Sequence, residues 1–164
     1  MLSALIETLN SERPLAHTLS ALVPAVVDGL LRRVYVIDRG SSDETALVAQ
    51  GAGCSLYGKA EIGAALDEIR TPWVLILKPG AIPGEGWEEI ARRHMESQSG
   101  PARFSLPGEG GFANVRKLLG GRATLDAGLL VRLEELRPLL LGGVSFDQLA
   151  QRLKPVRLKH PIML

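Results

Sequence analysis

The chain has 164 residues, enough for one domain with a buried core, and a formal net charge of +1. That balance supplies no field for nucleic acid or for an anionic membrane, and aromatics at 4% weigh against base stacking on single strands. A single cysteine, Cys54, excludes a disulfide framework and a cysteine-held zinc. Met1 to Glu7 is too short for a signal peptide or anchor and lacks the basic flank, so no transmembrane segment is expected there and a cytoplasmic location follows.

Apolar runs with strand character alternate with helical periodicity from the first residues. Ala4 to Thr8 reads as a strand. Ser11-Glu-Arg-Pro14 opens a helix whose apolar stripe is Leu15, Leu19, Leu22 and Val26, with Pro24 expected to kink or divide it. Val34 to Ile37 is a second strand, Thr45 to Gly51 a short helix ended by glycine, and Cys54 to Tyr57 a third strand. Lys59 to Arg70 carries Ile62, Ala65, Leu66 and Ile69 at helical spacing. Trp73 to Leu77 is a continuous apolar run, the mark of a central strand covered on both faces. The order implies right-handed crossovers and a largely parallel sheet in a three-layer α/β/α sandwich.

The second half is less regular. A helix is expected over Gly86 to Ser97, a short strand at Arg103 to Leu106, and a helix capped by Ser145 running to Leu153. Val156 to Leu158 is a final strand. Gly108 to Gly111 lacks the strand-before, helix-after context of a dinucleotide loop. Leu129 to Leu141 is rich in leucine and needs cover, for which a homodimer is one source.

The densest signal is Val34-Tyr-Val-Ile-Asp38-Arg-Gly-Ser-Ser-Asp43-Glu-Thr45: strand, carboxylate, turn, helix start. Ligands of open α/β sheets bind outside the carboxyl ends of the strands, which aims Asp38 at a crevice; a turn aspartate bonding its own loop is the commoner outcome of such a sequence. Together with Leu5-Ile-Glu-Thr-Leu-Asn10-Ser-Glu12, Gly58-Lys59 and the ungapped stretch Leu75 to Trp87, it resembles family 2 glycosyltransferases, the nucleotide-diphospho-sugar transferases of the GT-A fold. The resemblance covers about the first 95 residues. It implies a single GT-A-like domain over 1–164, with a nucleotide-binding half at 1–95 and a reduced acceptor-side half at 96–164. It also implies a nucleoside diphospho-sugar of uridine type as ligand. Asp38 would accept a hydrogen bond from the base, Thr8 and Leu9 would line the base pocket, and Lys59 would stand near the nucleotide. Glu7 takes the place of a residue that is usually proline or threonine and adds a second negative charge beside the base.

Two departures bear on activity. The positions of the metal-binding acids read Lys78-Pro79-Gly80, and Leu77 to Pro83 offers no side-chain oxygen, so no cofactor and no divalent metal are expected at that spot. Lys78 would then set its charge against the diphosphate. The late Glu-Asp pair that supplies the base in this family falls on Ser145 and Phe146, with Asp147 displaced by one residue, about 100° on a helix. Asp147 is a candidate base as well as a helix-start acid, and Asp126 is a candidate acceptor contact as well as a loop aspartate. Two functions remain open: hexosyl transfer from a nucleotide sugar to an acceptor hydroxyl without a bound metal, or a catalytically inactive relative serving as a binding or assembly module.

Overall fold

Strand and helix alternate through the first half, and the computed structural model, which describes residues 1–97, 100–107 and 125–163, follows that alternation. In order come β1 (Leu2–Thr8), α1 (Glu12–Val27), β2 (Leu31–Asp38), α2 (Thr45–Gly51) and β3 (Ser55–Gly58). A single 3-10 turn at Lys59–Glu61 leads into α3 (Ile62–Glu68), followed by β4 (Trp73–Leu77). The two-residue β5 (Ile82–Pro83), α4 (Trp87–Glu96) and β6 (Ala102–Ser105) follow. Beyond a 3-10 turn at Leu125–Ala127 lie β7 (Leu129–Arg132), α5 (Leu133–Leu141), α6 (Phe146–Leu153) and β8 (Val156–Met163). The glycines from Gly108 to Gly111 lie outside the described residues.

The sheet runs β3-β2-β1-β4-β7-β6-β8-β5. β1 is parallel to both β2 and β4, and β2 to β3; β7 runs antiparallel to β4 and β6, while β6 and β8 form a parallel pair. The chain builds outward from β1 to β3, then returns to place β4 on the other side of β1. This reversal is a topological switch point, where the loops leaving neighbouring strands part and open a crevice.

Alternating side chains fill two separate cores. Trp73, Leu75 and Leu77 of β4 join Leu2, Ala4 and Ile6 of β1 beneath α1 and α4. Val74 and Ile76 join Leu5, Ile37 and Leu129 on the other face, with Ala65 and Leu66 of α3, Leu136 and Leu140 of α5, and Phe146 and Leu149 of α6. Leu129, Leu130 and Val131 are fully buried, so most of the cover expected from a second copy for this stretch comes from within the chain.

Several elements differ from their sequence expectation for clear reasons. β2 starts three residues early because Leu31 pairs with Leu2, while Arg32 and Arg33, which interrupt the apolar run, extend into solvent where the register with β1 shifts. Pro24 leaves α1 continuous. It sits one turn from the end on the exposed side, where the carbonyl it cannot serve can be hydrated. The inward stripe of α1 is Leu15, Thr18, Leu22 and Ala25, and Val26, expected on it, is half exposed. β8 extends to Met163, its Ile162 reaching the core under β5.

Candidate functional site

At the switch point the loops after β1 and β2 are joined by side chains bonded to backbone. Asn10, held at φ 49, donates its N–H to Ser41 Oγ and accepts the Ser42 N–H at its Oδ1. Ser11 N–H donates to Thr45 Oγ1 at 2.8 Å, and Glu12 N–H to Asp43 Oδ2 at 3.2 Å. Asp43 also accepts the amide and hydroxyl of Thr45, and that hydroxyl bond, with lesser backbone bonds, holds its carboxyl below the usual aspartate value. One carboxylate thus serves the first amides of two helices. Asp38, half-buried at the end of β2, accepts the Ser41 amide at 3.1 Å and the Ser41 hydroxyl, so its carboxylate is bonded to its own turn.

Between this double loop and the end of β4 lies a cleft of about 220 Å³. Glu7, Thr8, Leu9, Ser11 and Arg39 form one wall, Leu77, Lys78 and Pro79 the next, and Leu125, Phe146 and Asp147 the third. Thr8 is buried, and its Oγ1 has no hydrogen-bond partner among the described residues. A buried hydroxyl left unsatisfied costs roughly 1–3 kcal/mol, so this atom is a strained point in the cleft wall. Burial raises the Glu7 carboxyl above its ordinary value, against the lowering pull of Arg39 and Lys59, and Asp147 adds to the rise.

Lys78 leaves the end of β4 and reaches two acids from different segments. Its Nζ stands 3.0 Å from Asp126 Oδ1 and 3.0 Å from Asp147 Oδ1. Burial alone would lower its pKa, but the hydrogen bonds to the two carboxylates outweigh burial and hold it above the ordinary lysine value. Asp126 is placed by Gly128, two residues on, at φ +65, where an added Cβ would stand 2.7 Å from Ile162 Cδ1 and 2.9 Å from Leu77 Cδ2. Asp147 lies in the first turn of α6, behind a capping box made by Ser145 and Gln148.

Of the residues singled out in the sequence, Thr8, Leu9, Lys78 and Asp147 meet in the cleft and Asp126 joins them through Lys78. Asp38 and Lys59 are not among the cleft's lining residues; Lys59 is exposed at the start of its 3-10 turn. Arg39, Leu125 and Phe146 were not anticipated. Phe146 and Arg39 each adjoin an acid that drew attention first, whereas Leu125 enters only through the packing of α6 on its turn. The histidines stay apart: His17 is exposed, His94 shares a hydrogen bond with the Gly100 carbonyl, and His160 one with that of Gly84.

A mostly parallel sheet between two helical layers, with its switch point beside β1 and an antiparallel β7 next to β4, is the GT-A-like α/β architecture of nucleotide-sugar glycosyltransferases. Solved structures of glucosyl-3-phosphoglycerate synthase from Mycobacterium tuberculosis share it. Its complex with Mn2+, uridine diphosphate and phosphoglyceric acid matches at TM-score 0.62 and 18% identity, over 82% of this chain and 56% of that one. Its complex with Mg2+ and uridine diphosphate matches at TM-score 0.62 and 17% identity, over 82% and 57%. A third, with Mn2+, uridine diphosphate and glucosyl-3-phosphoglycerate, matches at TM-score 0.66 and 17% identity, over 98% and 71%. The chain thus spans little more than half the length of the first two. No family model matches the sequence, and no curated protein matches it.

These complexes correct one expectation. A cleft with no divalent metal was inferred from the lack of side-chain oxygen in Leu77 to Pro83, yet structures of this fold hold Mn2+ or Mg2+ together with uridine diphosphate. Leu77 to Pro83 is one of several segments that reach the cleft. Asp126 and Asp147 bring carboxylate oxygens to the same place from two other segments. Among the described residues no three His, Cys, Asp or Glu side chains converge as a metal-holding group, and the point these two carboxylates share is taken by the Lys78 ammonium.

Proposed function

We propose that the cleft binds a nucleoside diphospho-sugar, of uridine type, within one GT-A-like domain whose 1–95 half holds the nucleotide and whose 96–164 half faces the acceptor. The observation that supports this reading is a cleft at the switch point, between the ends of β1 and β4, whose lining includes Arg39 and Lys78. Arg39 and Lys78 bring positive charge for phosphate, and the preorganised double loop holds the wall in place without ligand. In the solved complexes a divalent cation accompanies the nucleotide, but the described residues of this chain do not form a group that fits one. Lys78 stands where the Asp126 and Asp147 carboxylates meet. Location in the cytoplasm goes with this reading.

The fuller form of the reading is hexosyl transfer, with Asp147 taking the proton of the acceptor hydroxyl as a general base. A second reading, binding without turnover, is favoured by one feature: Asp147 Oδ1 is bound by Lys78 at 3.0 Å, which leaves the other oxygen to take up a proton. Calorimetric titration with uridine diphosphate, with and without Mn2+, tests the site. Absence of heat in both arms removes the nucleotide reading. A coupled assay with UDP-glucose then separates the two forms: turnover that Asp147→Asn abolishes establishes transfer, and tight binding without turnover establishes the module.

A further inference from the structure

The carboxylates in and beside the cleft are not used alike. Asp126 and Asp147 share the Lys78 ammonium at 3.0 Å each. Asp38 takes the amide and hydroxyl of Ser41 and is not among the lining residues. Glu7 does line the cleft, half-buried, and no hydrogen bond engages its carboxylate; only burial and the charges of Arg39, Lys59 and Asp147 act on it. Its donors must come from whatever fills the cleft. Strand register explains the division. Glu7 pairs with Ile37 and Thr8 with Asp38, and successive strand residues point to opposite faces. Glu7 therefore leaves the tip of the sheet on the face of Ile37, Leu125 and Phe146, whereas Asp38 leaves on the other.

We infer that Glu7 is the residue that reads the base, its carboxylate accepting the ring N3–H of a uracil seated in the cleft. This rests on the reading of the cleft as a uridine-nucleotide site. Of the parts of such a ligand, the diphosphate is repelled by Glu7 and drawn to Lys78 and Arg39, which leaves a neutral donor for the carboxylate. The surroundings of Glu7 suit a flat ring better than a hexose. Leu9, 44% exposed, and the lining side chains Leu77, Leu125 and Phe146 offer apolar surface to ring faces. A hexose turns hydroxyls to all sides and would leave most of them without partners there. Arg39 and Lys59, close enough to act on the Glu7 charge, offset the repulsion between a carboxylate and the two carbonyls that flank a uracil N3–H.

The test is calorimetric titration of the whole chain, near neutral pH, with uridine diphosphate, with 3-methyluridine diphosphate, which lacks the donor, and with inorganic pyrophosphate. The unaltered chain is expected to bind the methylated nucleotide about tenfold more weakly, the size of one hydrogen bond to a charged group. Glu7→Ala should weaken uridine diphosphate by about the same tenfold factor and bind both nucleotides equally, because both changes remove the same bond. Glu7→Gln keeps an oxygen acceptor without the charge and should weaken uridine diphosphate only about threefold. Pyrophosphate should bind Glu7→Ala no more weakly than the unaltered chain, since a nearby negative charge is gone. Thermal melting followed by circular dichroism checks that both variants are folded. Equal binding of the two nucleotides by the unaltered chain overturns the inference, as does a methyl penalty that persists in Glu7→Ala or an undiminished affinity of that variant for uridine diphosphate. A parallel loss of pyrophosphate binding assigns Glu7 to the scaffold and overturns it too. Absence of heat from uridine diphosphate with the unaltered chain is a separate result, which removes the nucleotide reading itself and this inference with it.

Discussion

The two ends of the parallel strands use the same kinds of element to opposite effect. At the carboxyl ends, short polar side chains spend their hydrogen bonds on neighbouring backbone, and charges of both signs surround a small cleft. At the amino ends, the loop from α1 to β2 is closed by backbone bonds such as Leu30 N–H to the Ala25 carbonyl, and a groove larger than the cleft is walled with valine. The first end is rigid because its polar groups are satisfied by one another, with Thr8 and Glu7 as the exceptions. The second leaves apolar surface in water. The sheet thus keeps a polar cleft and an apolar groove apart.

That contrast makes the two ends respond differently to substitution. The largest effect is expected at Gly128, where a methyl group meets both a left-handed backbone and two packed side chains. Gly128→Ala should lower stability by about 3 kcal/mol in urea unfolding. A cost under about 1 kcal/mol would mean that the turn before β7 is not fixed as described.

Next in size is Thr8→Val. The substitution removes a buried hydroxyl with no partner among the described residues, so unfolding should be unchanged or harder by about 1 kcal/mol in urea. A clear loss of stability would mean that the Thr8 hydroxyl has a partner in the folded chain.

Smaller still are the pH effects, and their signs oppose. Glu7 has a raised pKa, so its favourable contribution is complete below the ordinary value of 4.5 and is lost as pH rises above it; Glu7→Gln should stabilise at pH 7 and not at pH 4. Asp43 has a lowered pKa, so its contribution is present above the ordinary value of 3.8 and is lost as pH falls below it. Melting temperatures of Glu7→Gln and Asp43→Asn across pH 3 to 8 read both. The smallest effect is at the other end: Val27→Ser should change stability by less than about 0.5 kcal/mol in urea, since its side chain is mostly in water already.

Much of the first half was legible because its elements are fixed locally. Trp73 to Leu77 and Thr45 to Gly51 stand at their expected limits, one marked by an unbroken apolar run and the other by a glycine stop. The misreadings arose where neighbours override local pattern. Val26 has the right spacing for the core stripe, but the smaller Ala25 fits the approach of α1 to the sheet. Leu129 to Leu141 reads as one apolar block, yet its first four residues pair with β4 and β6 and only the rest is helical. At the site, Thr8, Leu9, Lys78 and Asp147 could be named from motif position. The bond from Lys78 to Asp126 could not, because it joins residues 48 apart whose approach depends on β7 lying beside β4.

That bond gives the molecule a three-way joint. A single ammonium at the tip of β4 tethers the turn before β7 and the opening of α6, elements that also pack against β4 through apolar side chains. An anion that draws Lys78 toward itself leaves Asp126 and Asp147 as adjacent like charges with their shared counter-charge gone. Arrival of a ligand on one flank is thereby felt as electrostatic recoil on the other.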